Sequence, residues 1–191
     1  MPACLKTPRV GLVILLISLL TLAGCSDPAA DGRFELTRVQ TQWTNGRLNV
    51  TSEQLLVLSD EARDALTHGV PLTLELELRL RSANSQTRVA SVSNSYEISY
   101  LPLIDQYQLA FSDDTPVRTF PRLRHVLSEL SRLSISVTTG ALPAGDYELL
   151  ARMHLDQNSM PPPMRLPVLL SSKWRHDSSW SAWPLEIEPG V

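Results

Sequence analysis

Cysteine is almost absent: the 191-residue chain holds two, Cys4 within the first residues and Cys25 at the end of an apolar segment. A fold built downstream of them has no thiol pair for a disulfide, no thiolate metal site and no cysteine nucleophile, and must be held by its apolar core. Glycine is scarce as well, with eight residues, and neither a phosphate-cradling Gly-rich loop nor a Gly-x-Ser-x-Gly elbow occurs. Basic charge is in deficit, 17 Lys and Arg against 20 Asp and Glu. That balance argues against nucleic acid as a partner, because neutralising phosphates takes clustered positive charge. The four histidines, His68, His125, His154 and His176, fall in separate segments with no His-x-x-x-His pair. A zinc site needs three or four converging ligands, so none is expected. No apolar run is long enough to span a bilayer: Val10–Leu22 has 13 residues, against the roughly 20 that a spanning helix needs.

That short run has its own meaning. Lys6 and Arg9 precede it, and it ends in Leu22-Ala23-Gly24-Cys25. Charge, apolar segment and small-residue cleavage site follow the order of a secretory signal. The ending resembles the bacterial lipoprotein signal, in which the cysteine thiol becomes a thioether carrying a diacylglyceryl group. The resemblance implies a signal peptide over 1–24, a lipidation site at Cys25 with two or three palmitate-like acyl chains, and a short tether over 25–32. One acyl chain holds a protein only marginally, whereas two or more make a stable anchor. The competing reading is an uncleaved anchor with an incidental Cys25. Ser26 follows the cysteine, with Asp27 one position later. By the enteric sorting rule that favours the periplasmic face of the outer membrane over the inner. Ser26 to Gly32 is seven residues, reaching at most about 25 Å when extended. Removing residues 1–24 leaves 167, and 15 basic against 20 acidic residues, a net charge of −5.

From residue 33 onward, two-residue periodicity dominates. Strands are expected at 34–43 and 47–58 around the Asn45-Gly46 turn, whose residues tolerate positive φ. Ser59-Asp60-Glu61 opens a short helix that presents Ala62, Ala65 and Leu66 to the core and ends at Gly69. Leu72, Leu74, Leu76, Leu78 and Leu80 alternate with Thr73, Glu75, Glu77, Arg79 and Arg81, the mark of a strand with one buried and one solvated face. Ser82–Ser95 is expected to hold a loop and a weakly patterned strand. Tyr96, Ile98 and Tyr100 followed by Tyr107, Leu109 and Phe111 predict a hairpin. The main helix is expected over 119–133, capped by Thr119, with a stripe of Phe120, Leu123, Leu127 and Leu130. Strands follow at 133–137, 147–155, 166–170 and 185–187, with Pro161-Pro162-Pro163 as a polyproline II connection. Strands without a βαβ rhythm predict an antiparallel β-sandwich with two flanking helices; the alternative is an α+β single antiparallel sheet with one packed helix.

No catalytic constellation emerges, and the protein is expected not to be an enzyme and to need no cofactor. Asp113-Asp114 lacks the ligand-rich surroundings that calcium requires, so a turn is expected. Met153, His154, Met160 and Met164 could suit Cu(I), but core packing explains thioethers as well. Arg152, His154 and Asp156 share a strand face. Two candidate binding surfaces stand out. Arg118, Arg122 and Arg132, with His125, recur at helical spacing on a stripe that could meet anionic head groups. Trp174, Trp180 and Trp183 either seal the rim of a core or present a recognition surface.

Leu58-Ser59, Ala65-Leu66, Gly69-Val70-Pro71-Leu72 and the Tyr96–Tyr107 hairpin, in this order, resemble the bacterial family DUF4390. So do Tyr147, Arg152 to Asp156, Pro161-Pro162, Trp174 and Ser178-Ser179-Trp180 to Trp183. The resemblance spans 33–188 as a single domain. Ser82–Ser95 stands where many members carry an aromatic-rich segment. The family implies an exported envelope protein, with members often encoded near a sensor histidine kinase, and it implies no activity. The function expected is a membrane-tethered, non-catalytic periplasmic binding or accessory module, with an envelope protein as partner and a sensor-kinase pathway as setting. The alternative is a carrier holding lipid or another small hydrophobic ligand between its sheets.

Overall fold

A computed structural model describes residues 32–113 and 115–188; the signal segment, Cys25, the tether up to residue 31 and Asp114 lie outside the described residues. In chain order the elements are β1 (Arg33–Thr44), β2 (Arg47–Val57), α1 (Asp60–Thr67), β3 (Leu72–Ser82), β4 (Arg88–Leu101) and β5 (Gln106–Phe111). They continue with β6 (Arg118–Phe120), α2 (Leu123–Leu130), β7 (Arg132–Thr138), β8 (Gly145–Leu155), α3 (Pro162–Leu170) and β9 (Ser181–Ile187). All strand pairs are antiparallel, in a three-stranded sheet β1-β2-β7 and a six-stranded sheet β6-β5-β4-β3-β8-β9. This is the expected β-sandwich, with three helices among the described residues where two were expected.

The large sheet is built outward from β3. Its leucines at 72, 74, 76, 78 and 80 are all buried, and the opposite residues of the strand are not. On one side Leu74 pairs with Tyr96 of β4; on the other it pairs with Leu155 of β8. Each inward row is therefore continued by an apolar neighbour on at least one side, as cross-strand pairing favours. The small sheet answers with Phe34, Leu36, Leu48, Val50, Leu56, Leu133 and Val137, and the two inner faces form one apolar cluster. α1 closes one end. Ser59 caps it by accepting a hydrogen bond from the Ala62 amide at 3.2 Å, and Ala62, Ala65 and Leu66 are buried as expected.

Two regions differ from expectation. The helix expected over 119–133 is confined to α2, and Arg118–Phe120 is instead the edge strand β6, paired with Tyr107–Leu109. Phe120 precedes Pro121, and a residue before proline is pushed out of the helical region; Thr119 therefore caps nothing. Arg122 occupies the N-cap position with an extended backbone and no side-chain bond, and Val126 and Leu130 are the buried helix residues. Arg118 and Arg132 lie on strands, so the four basic residues form no helical stripe. Residues 166–170, expected as a strand, belong to α3. Only Pro161 keeps an extended backbone; Pro162 and Pro163 sit in the first helical turn, where the missing amide costs nothing and the fixed φ is preorganised. Smaller corrections are that β4 begins at Arg88 and pairs along nearly all of β3, and that the last strand begins at Ser181.

Leu76, fully buried at the centre of β3, is the most demanding test of this frame. Leu76→Ala is expected to lower unfolding free energy by about 2–5 kcal/mol, read from urea denaturation.

Candidate functional site

One side of the sandwich is closed and the other is open. β1 leans against β8 and β9, whereas β7 approaches β4 across a cleft of about 680 Å³. One wall is the inner face of β4, at Val92, Asn94 and Tyr96; the other is β7, from Leu133 to Ser136. Ion pairs Arg118–Glu129 and Arg132–Glu53 stand beside it. Asn94 Oδ1 is buried in the wall and accepts no hydrogen bond among the described residues. Burial, aided by the negative charge of Asp113, pushes the Tyr96 hydroxyl far above its usual pKa, so the phenol is neutral. Asp113 itself accepts a hydrogen bond from the Thr115 amide at 3.0 Å, a turn contact that also lowers its pKa.

The β7 backbone forms the free edge of this cleft. The Gln54 amide donates to the Ser131 carbonyl at 2.8 Å, and the Thr139 amide donates to the Gly46 carbonyl at 3.0 Å. Those two bonds set the phase of the β2–β7 ladder. Leu133, Ile135 and Val137 bond to β2, and the N–H and C=O groups of Ser134 and Ser136 point outward. Among the described residues no strand pairs with that edge. The other edges carry protection of the usual kinds. β6 has three residues, β9 contains Pro184, and β1 has a register shift between Leu36 and Arg38. β7 has seven residues with no proline and no register shift.

The outer face of the large sheet is a second concentration of polar groups, and most of its charges pair with one another, although His154 Nδ1 is buried without a hydrogen-bond partner among the described residues. Arg152 makes a two-pronged pair with Asp177, with Nε to Oδ1 at 3.0 Å, and lies 3.7 Å from Glu77. The hydrogen bond to Asp177 raises the Arg152 pKa, and the same bond holds the Asp177 carboxyl below its usual range. His154 Nε2 is 3.5 Å from Glu75, and Arg81 pairs with Glu148 at 2.7 Å. Asp156 lines the same recess as Arg152, His154 and Asp177, and its carboxylate caps the turn after β8 by accepting from the Asn158 amide. Sequence reasoning missed Asp177, which is 25 residues from Arg152 and carries no local signal.

The tryptophans separate rather than form one surface. Trp174 is buried, and Trp183 packs against the core opposite Leu149 with its indole N–H donated to Ser181 at 2.9 Å. Trp180 is on the outer face, with the Arg79 guanidinium 4.1 Å and the Arg152 guanidinium 5.9 Å from its ring centre, a cation–π arrangement. The arginines also divide: Arg118 and Arg132 flank the cleft, while Arg122 lies beside Ile104 and Asp105. Met153 and Met160 are buried core residues. Among the described residues, no group of three or more His, Cys, Asp or Glu side chains converges as metal ligands would.

A buried junction joins three distant segments at the α1 end. The Ser59 amide donates to His176 Nε2 at 2.9 Å, Phe34 packs on the same ring with centroids 5.2 Å apart, and Gly32 lies against both partners. A Cβ on residue 32 would fall 2.2 Å from His176 Nε2, and φ is +68°, so glycine is required there twice over. Burial holds the imidazole pKa below its ordinary value.

An antiparallel two-sheet sandwich with flanking helices and an open strand edge defines a β-sandwich domain. The chain belongs to the family described as domain of unknown function DUF4390, whose model matches residues 31–184. No curated protein and no solved structure matches it significantly.

The His176 junction predicts a pH dependence. The folded pKa is depressed, so its stabilisation is intact above the unfolded value of about 6.5 and is lost as pH falls through that value toward the folded one. Urea midpoints are expected to drop between about pH 7.5 and pH 5, and His176→Gln, which cannot titrate there, is expected to flatten that interval. Asp177 acts in a lower window, below about pH 4.

Proposed function

We propose that the protein is a lipid-anchored, non-catalytic accessory module of the bacterial cell envelope that captures an extended segment of a partner protein on the edge of β7. The observation that carries this reading is the unpaired edge beside a cleft. Outward N–H and C=O groups on Ser134 and Ser136 are what an added strand bonds to. The cleft wall at Val92, Asn94 and Tyr96 would receive alternate side chains of that strand, and the orphan Asn94 oxygen would accept a hydrogen bond. Membrane attachment through Cys25 is proposed from the Leu22–Cys25 motif, with the outer membrane favoured. A sensor-kinase pathway is the proposed setting for the partner.

The carrier reading draws on the same space between the sheets. It is weaker because hydroxyls and two ion pairs surround the cleft, where a lipid cargo would need an enclosed apolar lining.

A photocrosslinker at position 136 in cells is expected to yield one dominant adduct, absent when placed at position 85 on the β3–β4 turn. Ser136→Pro, which removes one edge donor on a solvent-facing residue, is expected to abolish capture of the partner while leaving the urea midpoint little changed. Adducts equally strong from both positions would refute the edge site, and stoichiometric uptake of a hydrophobic fluorescent probe would favour the carrier. Cys25→Ser is expected to lose fractionation with membranes.

A further inference from the structure

The ends of the sandwich are unlike each other. Register fixes what lies at each: Leu72 pairs with Ile98, and Leu74 pairs with Leu155. The Leu155 amide donates to the His176 carbonyl at 2.8 Å, and His176 touches Gly32. One end therefore gathers Gly32, α1, the β4–β5 turn after Leu101 and the segment from β8 through α3 to His176. The opposite end carries the turns at 45–46, 83–87 and 139–144, rich in Ser, Thr, Gly and Asn.

Most of the bare large aliphatic side chains are at the first end. Leu103 is 98% exposed and Ile104 57% at the β4–β5 turn; Leu166 is 72%, Leu169 52% and Leu170 84% exposed on α3. Positions 166, 169 and 170 are spaced i, i+3, i+4 and share one helix face, while Val168 is the buried side chain of α3. These two apolar projections flank the β3 start along the same sheet margin, because β4 and β5 lie on one side of β3 and β8 on the other.

We infer that this end rests on the lipid bilayer, with the α3 leucines and the Leu103-Ile104 turn inserted at the interface. The inference deepens the lipid-anchor reading and rests on it. Seven residues from Ser26 to Gly32 hold the start of β1 within about 25 Å of an anchored Cys25. β3, at 11 residues, is about 36 Å long, which keeps the opposite end away from the surface. Leucines projecting beside the attachment point are the groups that meet the bilayer first, and a short apolar helix with a bare leucine face can bury that face at the boundary between head groups and acyl chains. Arg122 and Arg124 lie beside Ile104, and Arg165, Lys173 and Arg175 near the leucines, but Asp60, Glu61, Asp64, Asp105 and Asp156 share that end. Arg63 and Lys173 are paired with Asp60 and Glu61, so the charges there nearly balance. Apolar insertion therefore carries the contact, and anionic lipid is not required.

The natural scarcity of cysteine makes the test direct. Single cysteines at Leu103, Leu166 or Leu170, and at Asn84 or Ala141 on the opposite end, are labelled with an environment-sensitive fluorophore on the acylated full-length protein. The proteins are reconstituted into phosphatidylcholine vesicles containing nitroxide-labelled lipid. Labels at 103, 166 and 170 are expected to shift to the blue and lose most of their emission, and labels at 84 and 141 to keep theirs, with or without added phosphatidylglycerol. Unquenched emission at all three leucine positions from protein that still floats with the vesicles would overturn the proposal, leaving the anchor standing and assigning the leucines to a protein partner. Quenching that appears only with phosphatidylglycerol would also overturn it. Unlabelled-variant protein that accepts the probe at Cys25 would refute the anchor; in that case, vesicle quenching of the leucine labels in a Cys25→Ser background would still support the lipid contact, and its absence would overturn it.

Discussion

Five leucines on alternate residues of β3 impose most of this structure. Because the side-chain period of a strand is two, a slip of one residue would turn all five to water and bring Glu75, Glu77 and Arg79 inside. That penalty fixes the register of β4 on one side and β8 on the other. The outer neighbours β5 and β9 inherit their positions from these two. The small sheet is needed to cover the leucines, and Gln54 ties it to α2 by donating its side-chain amide to the Leu130 carbonyl. The outer charges follow as well: Glu75 and Glu77 face His154 and Arg152 because their leucine neighbours face inward.

What could be seen in the sequence was whatever repeats locally. The β3 leucines, the Asn45-Gly46 turn with φ of 51° and 77°, the Ser59 cap and the Tyr96–Phe111 hairpin all declare themselves within a few residues. The errors fell where two local signals compete. Phe120-Leu123-Leu127-Leu130 has helical spacing, but Pro121 and pairing with β5 take its first member into a strand. Leu166–Leu170 is a short apolar run that periodicity cannot assign, and the proline pair before it decided for helix. The cleft was hidden because an edge is defined by strand order, which no local pattern carries. Arg118 and Arg132 both line the cleft, but from β6 and β7 rather than from a shared helix face.

The two sides of the sandwich express a division of labour. Where β1 approaches β8 and β9 the sheets meet, and the Gly32–Ser59–His176 junction locks the end of that seam. Where β7 approaches β4 a cleft opens between them, and the strand at the opening has neither a proline nor a register shift to keep its edge from pairing. The outer face of the large sheet, by contrast, has its charges matched to one another and an indole laid over two guanidiniums. It presents mostly paired charges to solvent, which suits a face that stays wet.

The order β1-β2-β7 has a mechanical meaning. An anchor pulling at the start of β1 and a partner strand held on β7 would load the small sheet along its strand axes. Force would then cross the β1–β2 and β2–β7 ladders in shear, with many hydrogen bonds sharing the load, rather than opening them one at a time from an end. The six-stranded sheet would lie outside that path, acting as ballast whose buried face keeps the loaded strands aligned.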